Sequence, residues 1–330
     1  MPKVLHIGPC DSPGGMANVM HILAEHPPEG WQADLLASHV VGSPWAKWRA
    51  YRKARHTLIQ MLEHPERRPD VVHLHTAADW SWWRKRRFAR LANKAGVPNI
   101  IHIHSGRFDS WLADSKSNHR SFVSSITKYD SRVVVLSPDW KEVLSNMIGP
   151  VKVINNPISP NIQCDPSVTR DVNHLLLLGR NDPVKGHQFA IEFTRELRKI
   201  YPDARLTLTG VEQADDPWVD AKGWVSEKEK LTLLQKSTVV IVPSRYEGQP
   251  LVALEALATN CPVITSDTVH SLPPSVLIAE FGNVESWIEA YRSLSDSDVR
   301  GSVRTFEVES VKNQWSQYYS EILSANIRAV

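Results

Sequence analysis

Short apolar runs bounded by Gly, Pro or polar residues alternate along the chain with longer segments whose apolar positions recur every three or four residues. Runs of the first kind read as strands buried on both faces, and the longer segments as helices packed on a sheet. Strands are expected at Val4–Ile7, Asp34–Ala37, Val71–His75, Ile100–His104, Val133–Leu136 and Val151–Ile154. A turn-rich stretch, Asn155-Asn156-Pro157-Ile158-Ser159-Pro160, reads as a linker. A second series follows at Leu175–Leu178, Leu206–Thr209, Val239–Val242, Val263–Thr265 and Val276–Ala279. Strand–loop–helix order repeated in this way predicts an α/β fold of two Rossmann-like, doubly wound domains. The stretch Val308–Ile327, with Val311, Trp315, Tyr318, Tyr319 and Ile322 at helical spacing, predicts a closing helix. No internal repeat or low-complexity tract interrupts the pattern.

With 330 residues, 42% of them hydrophobic, the chain can bury two cores. No apolar stretch approaches the roughly 20 residues needed to cross a bilayer, and Met1–Ile7 runs directly into a strand rather than a secretory apolar region. A soluble, cytoplasmic protein is expected. Cys10, Cys164 and Cys261 are odd in number and far apart, which suits free thiols rather than a disulfide framework or a zinc site. The net charge of +2 conceals an asymmetry: residues 1–164 carry 21 basic and 13 acidic groups, a balance of +8, and the remainder 17 and 23, a balance of −6.

Candidate chemistry concentrates after two strands of the second series. In Leu178-Gly179-Arg180-Asn181-Asp182-Pro183-Val184-Lys185-Gly186, two cations five residues apart follow a buried strand, in the loop where doubly wound sheets bind ligands. An arginine fork and a lysine point charge suit a diphosphate, although a surface pair in a turn has the same spelling. After Val239–Val242 comes Pro243-Ser244-Arg245-Tyr246-Glu247-Gly248-Gln249-Pro250-Leu251, and Glu255 lies farther on. Pro250 belongs in the first turn of a helix whose amides, with Gly248 allowing close approach, form an anion site. Glu255 lies five residues past Pro250, about 7–8 Å along the axis. One carboxylate can then hold a ribose and the other a hexose across a diphosphate, while a turn glutamate and a helix-face glutamate are the plain alternative.

The second segment resembles the E-x7-E motif of retaining GT-B glycosyltransferases of family GT4, and the upstream GR-x-D-x-V-KG string is similar to one that precedes it in that family. The resemblance implies that Arg180 and Lys185 bind the donor diphosphate, Glu255 the ribose hydroxyls and Glu247 the donor sugar, with Gly248, Gln249, Pro250 and Leu251 at the helix end. It implies two domains flanking a cleft: 1–160 on the acceptor side, 161–307 binding the nucleotide sugar, and 308–330 crossing back to the first. Gly14-Gly15-Met16 resembles the family's Gly-Gly turn, whose backbone faces the donor phosphates, as glycine permits. In His102-Ile103-His104-Ser105-Gly106 the family has a histidine facing the donor sugar; alternation puts His102 and His104 on one strand face, and His104, nearer the loop, is the candidate. A satisfied strand-end histidine competes with that reading. Ser266-Asp267-Thr268-Val269-His270 departs from the family's Gly-Gly-x-x-Glu, which puts contacts to one end of the donor in doubt.

Other signals carry less. Asp296-Ser297-Asp298 spells a metal-binding D-x-D but follows a helix, which suits a solvated turn. His73-Leu74-His75 and His102-Ile103-His104 can converge across neighbouring strands, without the carboxylates of a metallohydrolase. No dinucleotide or P-loop glycine pattern is present. The expected function is metal-independent, cofactor-free transfer of a sugar, with retention, from a nucleotide sugar (UDP favoured) to a glycan or lipid-linked acceptor in polysaccharide or glycolipid synthesis. A nucleotide-sugar 2-epimerase and a non-catalytic subunit of a glycan-assembly complex are the alternatives. Trp45–Arg55 and Trp80–Arg90, each with five basic residues beside indole rings, suggest peripheral contact with an anionic membrane at its inner face rather than nucleic acid. Inward-packed tryptophans beneath a solvated basic face are the plain alternative.

Overall fold

The computed structural model describes residues 1–295 and 298–328, so Asp296 and Ser297 of the acidic triplet lie outside the described residues. The chain divides into two compact units: Met1–Pro157 joined by the segment from Val308 onward, and Ile158–Glu307.

Unit 1 holds a parallel sheet of β1 (Lys3–Gly8), β2 (Gln32–Ala37), β3 (Val71–Thr76), β4 (Asn99–Ile103), β5 (Ser131–Val135) and β6 (Lys152–Val153) in the order β2-β1-β3-β4-β5-β6. Its helices are α1 (Gly15–Glu25), α2 (Pro44–Glu63), α3 (Trp80–Lys94), α4 (Phe108–Ala113), α5 (Lys116–Lys128) and α6 (Pro138–Ile148). Serine side chains cap three of them: Ser43 accepts from the Ala46 amide, Ser115 from Asn118 and Ser137 from Trp140. The two sheet faces differ chemically. Leu5, Ile7, Val72, Leu74, Ile101, Ile103, Val133 and Val135 form an apolar face packed with Leu58, Trp82, Phe88, Phe122 and Leu144. The alternate positions of β1, β3 and β4 place His6, His73, His75 and His102 on the other face, each at most 1% exposed.

Unit 2 repeats the plan with β7 (His174–Leu177), β8 (Arg205–Leu208), β9 (Val219–Ala221), β10 (Val239–Val242), β11 (Val263–Ser266) and β12 (Leu277–Ala279), ordered β12-β11-β10-β7-β8-β9 and all parallel. Leu175, Leu177, Val239 and Ile241 pack against α7 (His187–Leu197) and α10 (Val284–Arg292), through Phe193 and Trp287. Leu176, Leu178, Val240 and Val242 pack against α8 (Glu227–Lys236) and α9 (Leu251–Ala258). Strand β9 was not expected from the sequence, because Asp216-Pro217-Trp218-Val219-Asp220 offers no apolar run; it is a three-residue edge strand, where Pro and Asp are tolerated. The last helix, α11 (Val308–Arg328), belongs to unit 1, where its Trp315 and Tyr319 lie over the histidine-bearing sheet face.

No helix among the described residues is long and apolar enough to cross a membrane. The cysteines are free.

Candidate functional site

In unit 2 the strand order reverses between β7 and β10, the place where doubly wound sheets open a ligand crevice at their carboxyl ends. Both sequence-predicted segments leave those two strand ends. Thr209 fixes the first of them, its Oγ1 accepting from the Gly179 amide at 2.9 Å. Gly210 presses on the same loop: at φ +79°, a Cβ there would lie 2.7 Å from both Arg180 Cα and Asn181 N, so the site requires glycine. The Lys185 stem packs beside Gly179, and its Nζ lies 2.5 Å from Glu247 Oε1. Ser244 Oγ donates to the same carboxylate oxygen at 2.8 Å. The structure therefore joins Lys185 and Glu247, 62 residues apart in sequence, through one carboxylate. Arg180 instead projects toward solvent and pairs with Asp182 at 3.3 Å.

Beyond Glu247, Gly248 and Gln249 are buried, and Gln249 Nε2 donates to the Ser271 carbonyl at 3.2 Å. Pro250, expected inside the first helical turn, is the extended residue just before α9, with φ −72° and ψ 110°. Its carbonyl accepts from the Ala253 and Leu254 amides, so Leu251 and Val252 begin the helix with amides that have no intrahelical acceptor. Glu255, one turn on, is 3% exposed and its Oε1 accepts from Lys230 Nζ at 2.9 Å. Lys230 also pairs with Glu227 at 2.7 Å. Burial raises the Glu255 carboxyl above its ordinary range against the opposing pull of Lys230. Burial acts on Lys230 in the lowering direction, but the charges and hydrogen bonds of Glu255 and Glu227 together leave its ammonium raised.

In unit 1 the strand order reverses between β1 and β3. Gly14 and Gly15 lie at the start of α1; Gly14 has φ +135°, with nothing within 4 Å of a Cβ position, a backbone that suits glycine beside open space. His104 follows β4, and its amide donates to the Thr76 carbonyl at 2.8 Å. Its ring belongs to a chain of imidazoles. His6 Nδ1 lies 2.9 Å from His75 Nε2, and His75 Nδ1 lies 3.0 Å from His104 Nε2. A parallel chain runs from Tyr319 Oη to His73 Nδ1 at 2.8 Å and from His73 Nε2 to His102 Nδ1 at 3.1 Å. Burial holds all five rings neutral, with His6 and His104 lowered to about 3 and His73, His75 and His102 well below the usual histidine range.

The two H-x-H pairs thus converge, as alternation allows, and His6 joins them. His6, His73 and His75, and likewise His75, His102 and His104, bring ring nitrogens within 4.8 Å of one another. His73 and His75 each spend both nitrogens on partners in opposite directions, which makes hydrogen-bonded chains rather than a set aimed at one point.

The profile of the Glycosyl transferase 4-like domain matches residues 4–157, and that of the Glycosyl transferases group 1 matches residues 172–297. The chain belongs to the group 1, GT4-type glycosyltransferases. Among curated relatives, this glycosyltransferase is 29% identical to a glycogen synthase of Mycobacterium tuberculosis over 239 residues, covering 65% of the chain and 56% of that protein. It is 25% identical over 266 residues to the Escherichia coli UDP-Gal:alpha-D-GlcNAc-diphosphoundecaprenol alpha-1,3-galactosyltransferase, covering 70% and 67%. The chain spans little more than half the length of the first of these. The fold is similar to that of sucrose-phosphate synthase from Thermosynechococcus elongatus, with a TM-score of 0.75 at 17% identity over 98% of this chain and 100% of that one. Two six-stranded parallel sheets flanked by helices, with such neighbours, are the GT-B architecture.

Several residues of this glycosyltransferase's candidate site escaped the sequence reading. Ser244 and Lys230 hold the two motif glutamates, and Gly210 shapes the Arg180 loop; none follows from local spacing. His6 did carry a signal, since it alternates with Leu5 and Ile7 and sits in register beside His73. Lys85, expected among the surface charges of α3, is a correction: it is fully buried, with Nζ donating to Ser38 Oγ at 2.9 Å. Its stripe partners were legible, because Trp82, Lys85, Phe88, Ala89 and Ala92 share one buried helix face.

Proposed function

We propose that this glycosyltransferase moves a sugar from a nucleotide diphosphate donor, UDP-sugar favoured, to a glycan or lipid-linked acceptor, with retention and without a metal ion. The observation that carries the reading is the Lys185–Glu247 pair beside the amide-bearing start of α9, at the carboxyl ends of β7 and β10. Without donor, Lys185 and Glu247 neutralise one another. A diphosphate arriving at the helix end competes for Lys185 and releases Glu247 to accept from the sugar hydroxyls, while Arg180 swings from Asp182. The bond from the anomeric carbon to the diphosphate oxygen breaks and a bond to the acceptor oxygen forms on the same face. The acceptor's proton passes to the departing diphosphate, whose growing charge the cations and helix amides stabilise. His104 serves as a neutral hydrogen-bonding group toward the sugar, consistent with its burial-depressed basicity. Glu255 would reach a ribose only by sharing its carboxylate with Lys230.

UDP as donor base and a lipid-linked acceptor are supported by the name of the E. coli relative. Membrane contact is supported by exposed Trp45, Trp48 and Trp80 on the basic helices α2 and α3; Trp45 and Trp48 stack at 4.7 Å, and Arg52 lies over Trp48. The test is to incubate the protein with UDP-sugars and GDP-sugars, with and without acceptor glycans, in excess chelator, and to read the new linkage by NMR. Retained configuration with chelator present supports the reading. Donor conversion without acceptor would mark an epimerase, and an inverted linkage or rescue only by added metal would overturn the mechanism.

A further inference from the structure

One group of basic side chains in unit 1 has no answering carboxylate among the described residues. Ser38 and His39 leave the carboxyl end of β2, and Ser38 is tied to the end of β1 by its amide and hydroxyl, which both donate to the Gly8 carbonyl. Lys85 Nζ reaches Ser38 Oγ from α3, using one of its three donors on a neutral partner. Arg84, Lys85 and Lys47 all act electrostatically on His39, whose ring is held neutral by burial and by those three charges. Arg84 Nε and His39 Nδ1 are both buried without a hydrogen-bond partner. Among the described residues no carboxylate forms an ion pair with Arg84, Lys85 or Lys47; Asp79, at the start of α3, pairs with Arg107. Asp11, in the loop after β1, accepts from Cys10 Sγ.

Burial and the neighbouring Arg84 lower Lys85 from the usual lysine range to about 7, the cost of burying an ammonium without a counter-ion, and a buried guanidinium nitrogen without an acceptor adds a cost of its own. Such groups call for an explanation, and a bound anion is one that supplies both the missing charge and the acceptors. Arg84 is half-buried and Lys47 exposed, so an anion entering from solvent meets them first, with Lys85 and Ser38 beneath. Two cations, with an amine beneath them that an arriving anion draws back into its charged form, suit a phosphate dianion better than a single carboxylate, which one arginine would satisfy. We propose that this corner of unit 1, between the end of β2, the first turn of α2 and the second turn of α3, binds the phosphate of a phosphorylated sugar acceptor. The word acceptor rests on the function proposed above; the anion site itself does not.

The test is calorimetric titration of the full chain with inorganic phosphate, N-acetylglucosamine 1-phosphate, a short-chain prenyl-diphosphate N-acetylglucosamine, and uncharged N-acetylglucosamine. The same titrations follow on Arg84→Gln and Lys85→Met, and UDP is titrated in parallel. The expected result is binding of the phosphorylated compounds but not of the uncharged sugar, weakened at least tenfold in both variants, with UDP affinity within twofold of wild type. Tightest binding of the prenyl diphosphate identifies a lipid-linked acceptor, and equal binding of the monophosphate a soluble one; either supports the site. Lys85→Met keeps the length of the buried stem, and Arg84→Gln, at a half-buried position, gives an independent reading if the first variant does not fold. Unchanged phosphate binding in the folded variants, or no binding of any phosphorylated compound at millimolar concentration, overturns the proposal. Equal loss of UDP and phosphate binding overturns it too, because the cluster would then belong to the donor site. Failure of UDP to bind wild type while phosphate still binds would instead count against the donor reading alone.

Discussion

Mild acid should open unit 1 through its histidine-lined sheet face. His6, His73, His75 and His102 are at most 1% exposed and stand neutral, with His6 lowered to about 3 and the other three well below the usual range. Burial is the main cause, and mutual repulsion between the rings adds to it for His73, His75 and His102. In the unfolded chain each ring takes a proton near pH 6.5. Between that pH and the depressed native values the unfolded state binds more protons, so stability falls as pH falls. Their contribution is fully present above pH 6.5 and is lost progressively down to about pH 3, where His6 begins to protonate in place. At pH 5 the unfolded rings lie 1.5 pH units below their pKa, which is about 2 kcal/mol each. Four such rings give about 8 kcal/mol, comparable to the whole stability of a typical domain, about 5–15 kcal/mol. Hydrogen exchange read by mass spectrometry at pH 7.5 and pH 5, corrected for intrinsic rates, separates the units: β3 and β4 peptides report unit 1, and β10 and β11 peptides unit 2. The expected outcome is early loss of protection in β3 and β4. A fall of less than about 2 kcal/mol in their opening free energy would refute the reasoning, because a single buried ring should produce that much.

Lys185→Ala should weaken UDP binding by about 2 kcal/mol, roughly thirtyfold, and Arg180→Ala should weaken it less because its guanidinium must first leave Asp182; calorimetry with UDP checks both. Glu255→Ala should destabilise unit 2 by about 3 kcal/mol in urea, since it leaves Lys230 buried with only the exposed Glu227 as partner, whereas Glu247→Ala should lower turnover with intact donor and change stability little. Co-sedimentation with vesicles should rise with anionic lipid, fall with salt and drop when Arg86 and Arg87 are replaced by serine, each charge near the surface contributing about 1 kcal/mol; wild type left in the supernatant at low salt would remove the membrane contact.

Strands and helices were legible because a parallel strand of this kind is a short apolar run whatever it does, and eleven of the twelve strands among the described residues were expected on that ground, the partly exposed β2 and β6 included. The exception, β9, is an edge strand with polar residues and no run to detect. Site segments were legible where chemistry is local, as at the Arg180 loop and the α9 start. Pairings across the sheet were not, because Lys185 and Glu247 meet through the adjacency of β7 and β10, which no local spacing encodes. Burial of charge was the other gap. Glu255 and Lys85 were read as available groups, but each occupies a buried helix stripe, and the partner it bonds, Lys230 or Ser38, lies on a different element.

The return of α11 to unit 1 sets an order of events during synthesis. Tyr319, which bonds His73, and Trp315, which packs on it, emerge from the ribosome only after all of unit 2. At about 5–20 residues per second, the 150 residues from Ile158 to Glu307 take on the order of ten to thirty seconds. Through that interval His73 and His102 lack the Trp315 and Tyr319 rings that close over them, although α1 already packs Met20 near His75, while unit 2, continuous in sequence, can finish folding. The first half of the chain to be made is the last to be completed, and a nascent chain halted before Val308 presents chaperones with a sheet face covered only in part.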